Sequence, residues 1–248
     1  MGRTAIVSGG SRGIGAATST LLAERGWDIA VGYHREAEAA QTVAAGCRAL
    51  GRRAIAVAVD VSSEEAVTAF FSTVDEELGT LGALVNCAGI VDGKARLDEF
   101  TASRIQHVFA VNVLGSFLCA REAVRRMSTV HGGSGGAIVN LSSAASRLGS
   151  PDEYIDYVAS KGAIDTMTIG LAREIAREGV RVNAVRPGLV NTEIHARGGQ
   201  PDRVERLAPL IPMGRGGEAA EVAEAVVWLC SDEASYVTGA LIDVSGGR

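Results

Sequence analysis

Tyr157 and Lys161 stand four residues apart in a stretch of helical periodicity, a spacing that puts both side chains on one helix face. A phenol ordinarily ionises at about pH 10. An ammonium beside it favours the phenolate and draws that value down. A tyrosine tuned in this way can give a proton to a carbonyl oxygen, or take one from an alcohol, near neutral pH. Taken alone, such a pair reads as an ordinary exposed helix pair; the motifs that accompany it turn the reading to acid/base chemistry.

A second group of residues suits an anion. The run Thr4–Ser8 leads into Gly9-Gly10-Ser11-Arg12-Gly13-Ile14-Gly15 and then into a helical stretch. Glycines at 9, 13 and 15 permit a tight turn and close backbone approach. The helix start behind them offers unpaired N–H groups and a positive dipole end, which suits a pyrophosphate. The spacing is Gly-x-x-x-Gly-x-Gly, not Gly-x-Gly-x-x-Gly, but the strand–turn–helix context reads as a dinucleotide site. The same residues satisfy Gly-x-Ser-x-Gly, the hydrolase nucleophile elbow, as does Gly132–Gly136. Context argues against that reading. The first match lies on the first strand, with no earlier strand to supply an oxyanion loop. The second precedes a strand instead of following one, and the only histidines are His34, His107, His131 and His195.

The end of the second strand bears on the choice of nucleotide. A carboxylate about 20 residues past the glycines would hold a ribose 2′-hydroxyl. The strand Asp28–Tyr33 runs instead into His34 and Arg35, with Asp28 at its start. Arg12 and Arg35, with His34 beside them, can face a 2′-phosphate, because a guanidinium binds phosphate through paired hydrogen bonds. NADP(H) is the expected cofactor, with NAD(H) as the alternative.

The elements that must position these groups alternate. Strands are read at Thr4–Ser8, Asp28–Tyr33, Ala54–Val59, Ala83–Cys87, Ala137–Ser142, Arg181–Arg186 and Leu241–Val244. Helices are read at Ile14–Arg25, Glu36–Leu50, Glu64–Leu78 (capped by Ser62 or Ser63), Thr101–Ser128, Tyr154–Arg177 and Glu218–Cys230. Strand–helix alternation implies parallel strands joined by right-handed crossovers. Continuous apolar strands imply a sheet covered on both faces. The expectation is one α/β domain over residues 1–248, a Rossmann-type doubly wound parallel sheet of about seven strands. The segment 189–217 carries Pro201, Pro209 and Pro212 and is the least regular, and it is read as a lid.

The 248 residues are 47% hydrophobic and 21% charged, with a net charge of −5. That composition supports a large core and gives no basic field for nucleic acid. No stretch reads as a membrane span or signal peptide. Cys47, Cys87, Cys119 and Cys230 are scattered without metal-ligand spacing, so no metal is expected, and buried reduced thiols in a cytoplasmic protein are.

Taken in order, Ser8-Gly9-x-x-x-Gly13-x-Gly15, Asp60-Val61, Asn86-Cys87-Ala88-Gly89, Asn112, Asn140-Leu141-Ser142-Ser143, Tyr157-x-x-x-Lys161 and Pro187-Gly188 resemble the short-chain dehydrogenase/reductases along essentially the whole chain. Within that family the sequence is similar to a bacterial branch near glucose 1-dehydrogenases and 3-oxoacyl-carrier-protein reductases. The resemblance implies hydride transfer between nicotinamide and a ketone or aldehyde and its alcohol, with Tyr157 as general acid/base. It implies that Lys161 also binds the nicotinamide ribose and that Asn112 places a proton-relaying water. A serine after the fifth strand would hold the substrate oxygen; counting from Asn140 gives Ser143, with Ser142 as the alternative. The implied cofactor residues are Gly9, Ser11, Arg12, Gly13, Ile14, Gly15, His34, Arg35, Asp60, Val61, Asn86, Ala88, Gly89, Tyr157, Lys161, Pro187, Gly188, Val190 and Thr192.

The chain departs from the family pattern where Ser8 replaces a threonine and Cys87 an asparagine; the thiol is expected to affect packing. Tyr154 is read as pocket wall or packing. Asp152, Glu153, Tyr154, His195 and Arg197 are the candidate substrate contacts. Leu114, Phe117, Leu118 and Leu171 could form an apolar helix face of a homo-oligomer, a tetramer or dimer, or could be internal core. The second functional reading is a catalytically silent nucleotide-binding regulator. The presence of Ser143, Tyr157 and Lys161 together argues for the enzyme.

Overall fold

In the structure, a computed structural model that describes residues 3–248, the strand β1 (Thr4–Ser8) is buried along its whole length. Its side chains alternate between two cores: Ala5 and Val7 enter one, Ile6 the other. This is the pattern that a strand covered on both faces requires. β1 is hydrogen-bonded in parallel to β2 (Asp28–Tyr33) on one side and to β4 (Leu81–Asn86) on the other. With β3 (Ala54–Ala58), β5 (Gly136–Leu141), β6 (Val180–Pro187) and β9 (Leu241–Val244), the sheet has seven parallel strands in the order β3-β2-β1-β4-β5-β6-β9. That is the Rossmann order extended by one strand. The order reverses between β1 and β4, which places a crevice at their carboxyl ends.

One sheet face is covered by α1 (Gly13–Glu24), α2 (Ala37–Ala49) and α10 (Ala219–Cys230). The other is covered by α3 (Glu64–Leu78), α5 (Gly115–Met127) and α7 (Ile155–Ile175). In α3, the buried Val67, Phe70, Phe71, Val74 and Leu78 recur at the three- and four-residue spacing of one helix face. Its N-cap is Ser63, whose Oγ accepts from Ala66 N–H at 3.2 Å.

Two expectations change. The helical region around Thr101–Ser128 is not uniform: α4 (Ala102–Phe109) passes through a π turn at Ala110–Leu114 before α5 begins. A π turn adds a residue to one helical loop and is often found at functional sites; periodicity over the flanking residues does not reveal it. The continuous run Ala102–Met127 also has the length and apolarity of a membrane span, contrary to the reading of the sequence. Here its apolar residues pack against α3 and β4. The segment 189–217, the least regular in the sequence, holds only short elements. It contains β7 (Val190–Asn191), α8 (Ile194–Arg197) and α9 (Arg203–Leu207). β7 pairs in parallel with β8 (Gly217–Glu218) and ties the two ends of the segment together.

Of the apolar helix face, Leu118 belongs to the core while Leu114 and Phe117 are about half exposed. All four cysteines are unpaired. Among the described residues there is no cluster that could hold a metal ion.

Candidate active site

A cleft of about 900 Å³ opens at the carboxyl ends of the strands. At one end is the glycine turn. Gly9 has φ +65°, and a Cβ there would stand 2.8 Å from the Ala88 Cα; at Gly15 a Cβ would stand 2.2 Å from the Gly9 carbonyl oxygen. Only glycine allows this coil to close on itself. α1 begins directly behind it. Its N-cap, Arg12, makes no capping hydrogen bond, and its first turn holds no acidic residue. The N-terminal amides and the positive end of the helix are therefore free for an anion.

The predicted cofactor residues Gly9, Ser11, Arg12, Gly13, Ile14, His34, Arg35, Asp60, Val61, Ala88, Gly89, Pro187, Gly188, Val190 and Thr192 all line this cleft. Gly15 lies behind the turn as its packing partner and does not line it. Asn86 corrects the sequence reading. It is buried, and its Nδ2 donates to Asn140 Oδ1 (2.9 Å) and to the Ser116 carbonyl (3.2 Å), so it ties β4 to β5 and α5 and does not face the cleft. Cys87 also lines it, and burial pushes its thiol up to about 11.

Glu36 was not anticipated. It is three residues past the end of β2 and lines the cleft between Arg12 and Arg197, with its Oε1 3.0 Å from a guanidinium nitrogen of each. These cations, Arg12 first, hold its carboxyl below the usual range. Arg197 belongs to α8, so this carboxylate connects the segment 189–217 to the glycine turn. A search for acidic residues that had extended three positions past the strand would have found it. Arg35 forms no ion pair among the described residues. His34 is 4.0 Å from Asp60, whose Oδ1 accepts from the Ser62 hydroxyl at 2.6 Å.

At the other end, α7 carries Tyr157 and Lys161 into the cleft. The expected lowering of the phenol by Lys161 is not seen: the Lys161 Nζ lies 5.6 Å from the Tyr157 ring centre and donates to the Leu141 carbonyl at 2.7 Å. Burial pushes the phenol above its ordinary value, while the Ser143 hydroxyl and the Arg203 charge act the other way. Burial lowers Lys161 to about 8.

The two serines diverge. Ser142 Oγ is spent on the Lys161 carbonyl at 3.1 Å. Ser143 Oγ accepts from Ala145 N–H (3.1 Å) and stands beside the phenol. Asn112, on the π turn, is fully buried and outside the cleft. Its Oδ1 accepts from Ile90 N–H at 2.8 Å, and its Nδ2 donates to the Ile90 carbonyl and to Ser160 Oγ, both at 3.0 Å. A Cβ at Gly89 would be 3.4 Å from both the Lys161 Nζ and the Asn112 Oδ1, so the two groups flank the same glycine.

Tyr154 is cleft wall, as expected, and also an anchor: its hydroxyl donates to the Gly198 carbonyl (2.8 Å) and lies 2.6 Å from Gln200 Nε2. His195 lines the cleft with its Nε2 3.0 Å from the Val190 carbonyl, whereas Asp152 and Glu153 do not line it. Arg203, unremarked in the sequence, does.

Residues 9–248 match the family model described as enoyl-(acyl carrier protein) reductase. The chain is 55% identical over 244 residues to the uncharacterized oxidoreductase YgfF of Escherichia coli K12, covering 98% of this chain and 99% of that one. It is 40% identical to the cis-4-hydroxycyclohexanecarboxylate dehydrogenase of Sinomonas cyclohexanicum, covering 99% and 96%. A short chain dehydrogenase from Burkholderia cenocepacia, solved in complex with NADP, superposes with a TM-score of 0.91 at 35% identity, covering 100% and 98%.

Proposed function

This chain belongs to the short-chain dehydrogenase/reductase family and is an NAD(P)-dependent oxidoreductase of alcohol and carbonyl groups; within that class we propose that it prefers NADP(H) and that Tyr157 is its general acid and base. The observation that carries this reading is the placement of Ser143, Tyr157 and Lys161 in one cleft with an uncapped helix N-terminus.

The residues present fit a dinucleotide. The α1 amides and the Gly9–Gly13 turn would hold the pyrophosphate, and Asp60 and Val61 the adenine. Lys161 would hold the nicotinamide ribose, and Pro187, Gly188, Val190 and Thr192 the nicotinamide end. Arg12 and Arg35 would take the 2′-phosphate, which requires Glu36 to release Arg12. Bound there, the nicotinamide supplies or accepts the hydride. In the reducing direction the Tyr157 hydroxyl would give its proton to the carbonyl oxygen, and Ser143 would donate a hydrogen bond to that oxygen. A proton drawn from solvent by way of Lys161, past Gly89 on the side held by Asn112, would then restore the Tyr157 phenol. Reduction is the direction that NADPH favours.

The segment 189–217 acts as the lid of one catalytic domain. The half-exposed Leu114 and Phe117 support a homo-oligomer, and the buried free thiols support residence in a reducing cytoplasm. The test is binding of NADPH and NADH by nicotinamide fluorescence, followed by oxidation of each with a panel of carbonyl compounds. NADPH should bind more tightly. Tyr157→Phe should still bind it but lose on the order of a hundredfold or more in turnover. Equal binding of NADH would overturn the cofactor preference, and an active Tyr157→Phe would overturn the acid/base assignment.

A further inference from the structure

We propose, resting on the oxidoreductase reading above, that the substrate is an oxo or hydroxy acid with an apolar body, and that Arg203 binds its carboxylate. Arg203 opens α9 with its side chain only 9% exposed. One arm of its guanidinium is committed: Nη2 lies 2.6 Å from Glu153 Oε2. Its guanidinium carbon lies over the Tyr154 ring, 5.1 Å from the centre. The other arm is not committed. Nη1 is fully buried and has no hydrogen-bond partner.

A buried N–H left unpaired is costly, most of all on a charged group, and natural structures rarely keep one without a purpose. A carboxylate oxygen is the acceptor that the guanidinium fork suits best. Arg203 lines the same cleft as Tyr157, close enough for its charge to favour the phenolate. A group bound to it therefore shares the cleft with the Tyr157 hydroxyl.

Glu153 does not cancel the charge. Lys94 Nζ is 4.0 Å from its Oε1, so two cations face one carboxylate and leave an excess of one positive charge. The neighbouring cleft residues Val91, Leu148, Leu189 and Ile194 are apolar. Together these features describe a site for one carboxylate at the end of an apolar molecule.

The test compares acids with their neutral amides. Hexanoate against hexanamide, and benzoate against benzamide, are titrated calorimetrically into the protein saturated with its nicotinamide cofactor. At least one acid should bind on the order of tenfold or more tightly than its amide. Arg203→Met should erase that preference while cofactor affinity is unchanged. Glu153→Gln removes the competing carboxylate and should enlarge the preference, which decides the matter if Arg203→Met does not fold. Equal binding of acid and amide, or a preference that survives Arg203→Met or fails to grow in Glu153→Gln, overturns the assignment. Cofactor binding with turnover of neutral carbonyl compounds but no acid preference overturns only the carboxylate. Failure to bind either nicotinamide cofactor overturns the oxidoreductase reading itself.

Discussion

Asn112 donates from Nδ2 to Ser160 Oγ at 3.0 Å, and that hydroxyl in turn donates to the Tyr157 carbonyl at 2.6 Å. The π turn is thereby tied to the helix that carries Tyr157 and Lys161, and through Ile90 to the loop after β4. Replacing Asn112 with Ala removes both hydrogen bonds to the half-buried Ile90 backbone, a loss of about 1 kcal/mol for each. Turnover should fall as well, because Tyr157 loses part of its support. Urea unfolding together with steady-state kinetics checks both. Unchanged stability would show that water replaces the amide.

If Arg12 takes the 2′-phosphate as proposed, Glu36 competes with that phosphate for it. Glu36→Gln should therefore tighten NADPH binding and leave NADH nearly unchanged, while Arg12→Ala weakens NADPH selectively. The ratio of the two dissociation constants is the measurement. A Glu36→Gln protein that instead loses NADH affinity would mean that the carboxylate binds the ribose hydroxyls.

Arg104 and Asp156 form a buried pair at 2.7 Å, with side chains 12% and 2% exposed, and Asp156 Oδ1 also accepts from the Tyr157 N–H at 2.9 Å. Arg104→Ala strands a carboxylate in the protein interior beside the catalytic helix. The expected loss is about 3–5 kcal/mol, with partial recovery in Arg104→Met combined with Asp156→Asn. Denaturant midpoints of the three proteins decide it.

The buried Lys161 gives a pH signature. Its folded value of about 8 lies below the ordinary 10.5, so between these values the unfolded chain binds more protons. Stability contributed by this group therefore rises with pH across that window, and below about pH 8 the full cost of burying the charge is present. The melting temperature of the wild type relative to Lys161→Met should climb between about pH 8 and about pH 10. A flat difference would mean that Lys161 stays fully protonated in the folded protein through that range.

The seven strands and the glycine turn were legible because they rest on local rules. Apolar runs such as Thr4–Ser8 can only be strands covered on both faces, and Gly9 and Gly15 mark a turn with no room for a side chain. The four-residue spacing likewise put Tyr157 and Lys161 on one face, and the chain itself told of the serine pair. Tertiary structure decided the rest, because it concerns partners distant in sequence. Cβ alternation in a strand says that Ser142 and Ser143 diverge, but not that the Lys161 carbonyl takes Ser142. The strand end says that His34 and Arg35 follow β2, but not that Glu36 meets Arg197 from 161 residues away. Asn86 and Asn112 carry the residue type of a ligand contact, yet the sheet and the π turn bury them as ties between elements. Which polar groups a fold consumes internally, and which it leaves for a ligand, depends on hydrogen-bond partners that only the folded chain brings within reach.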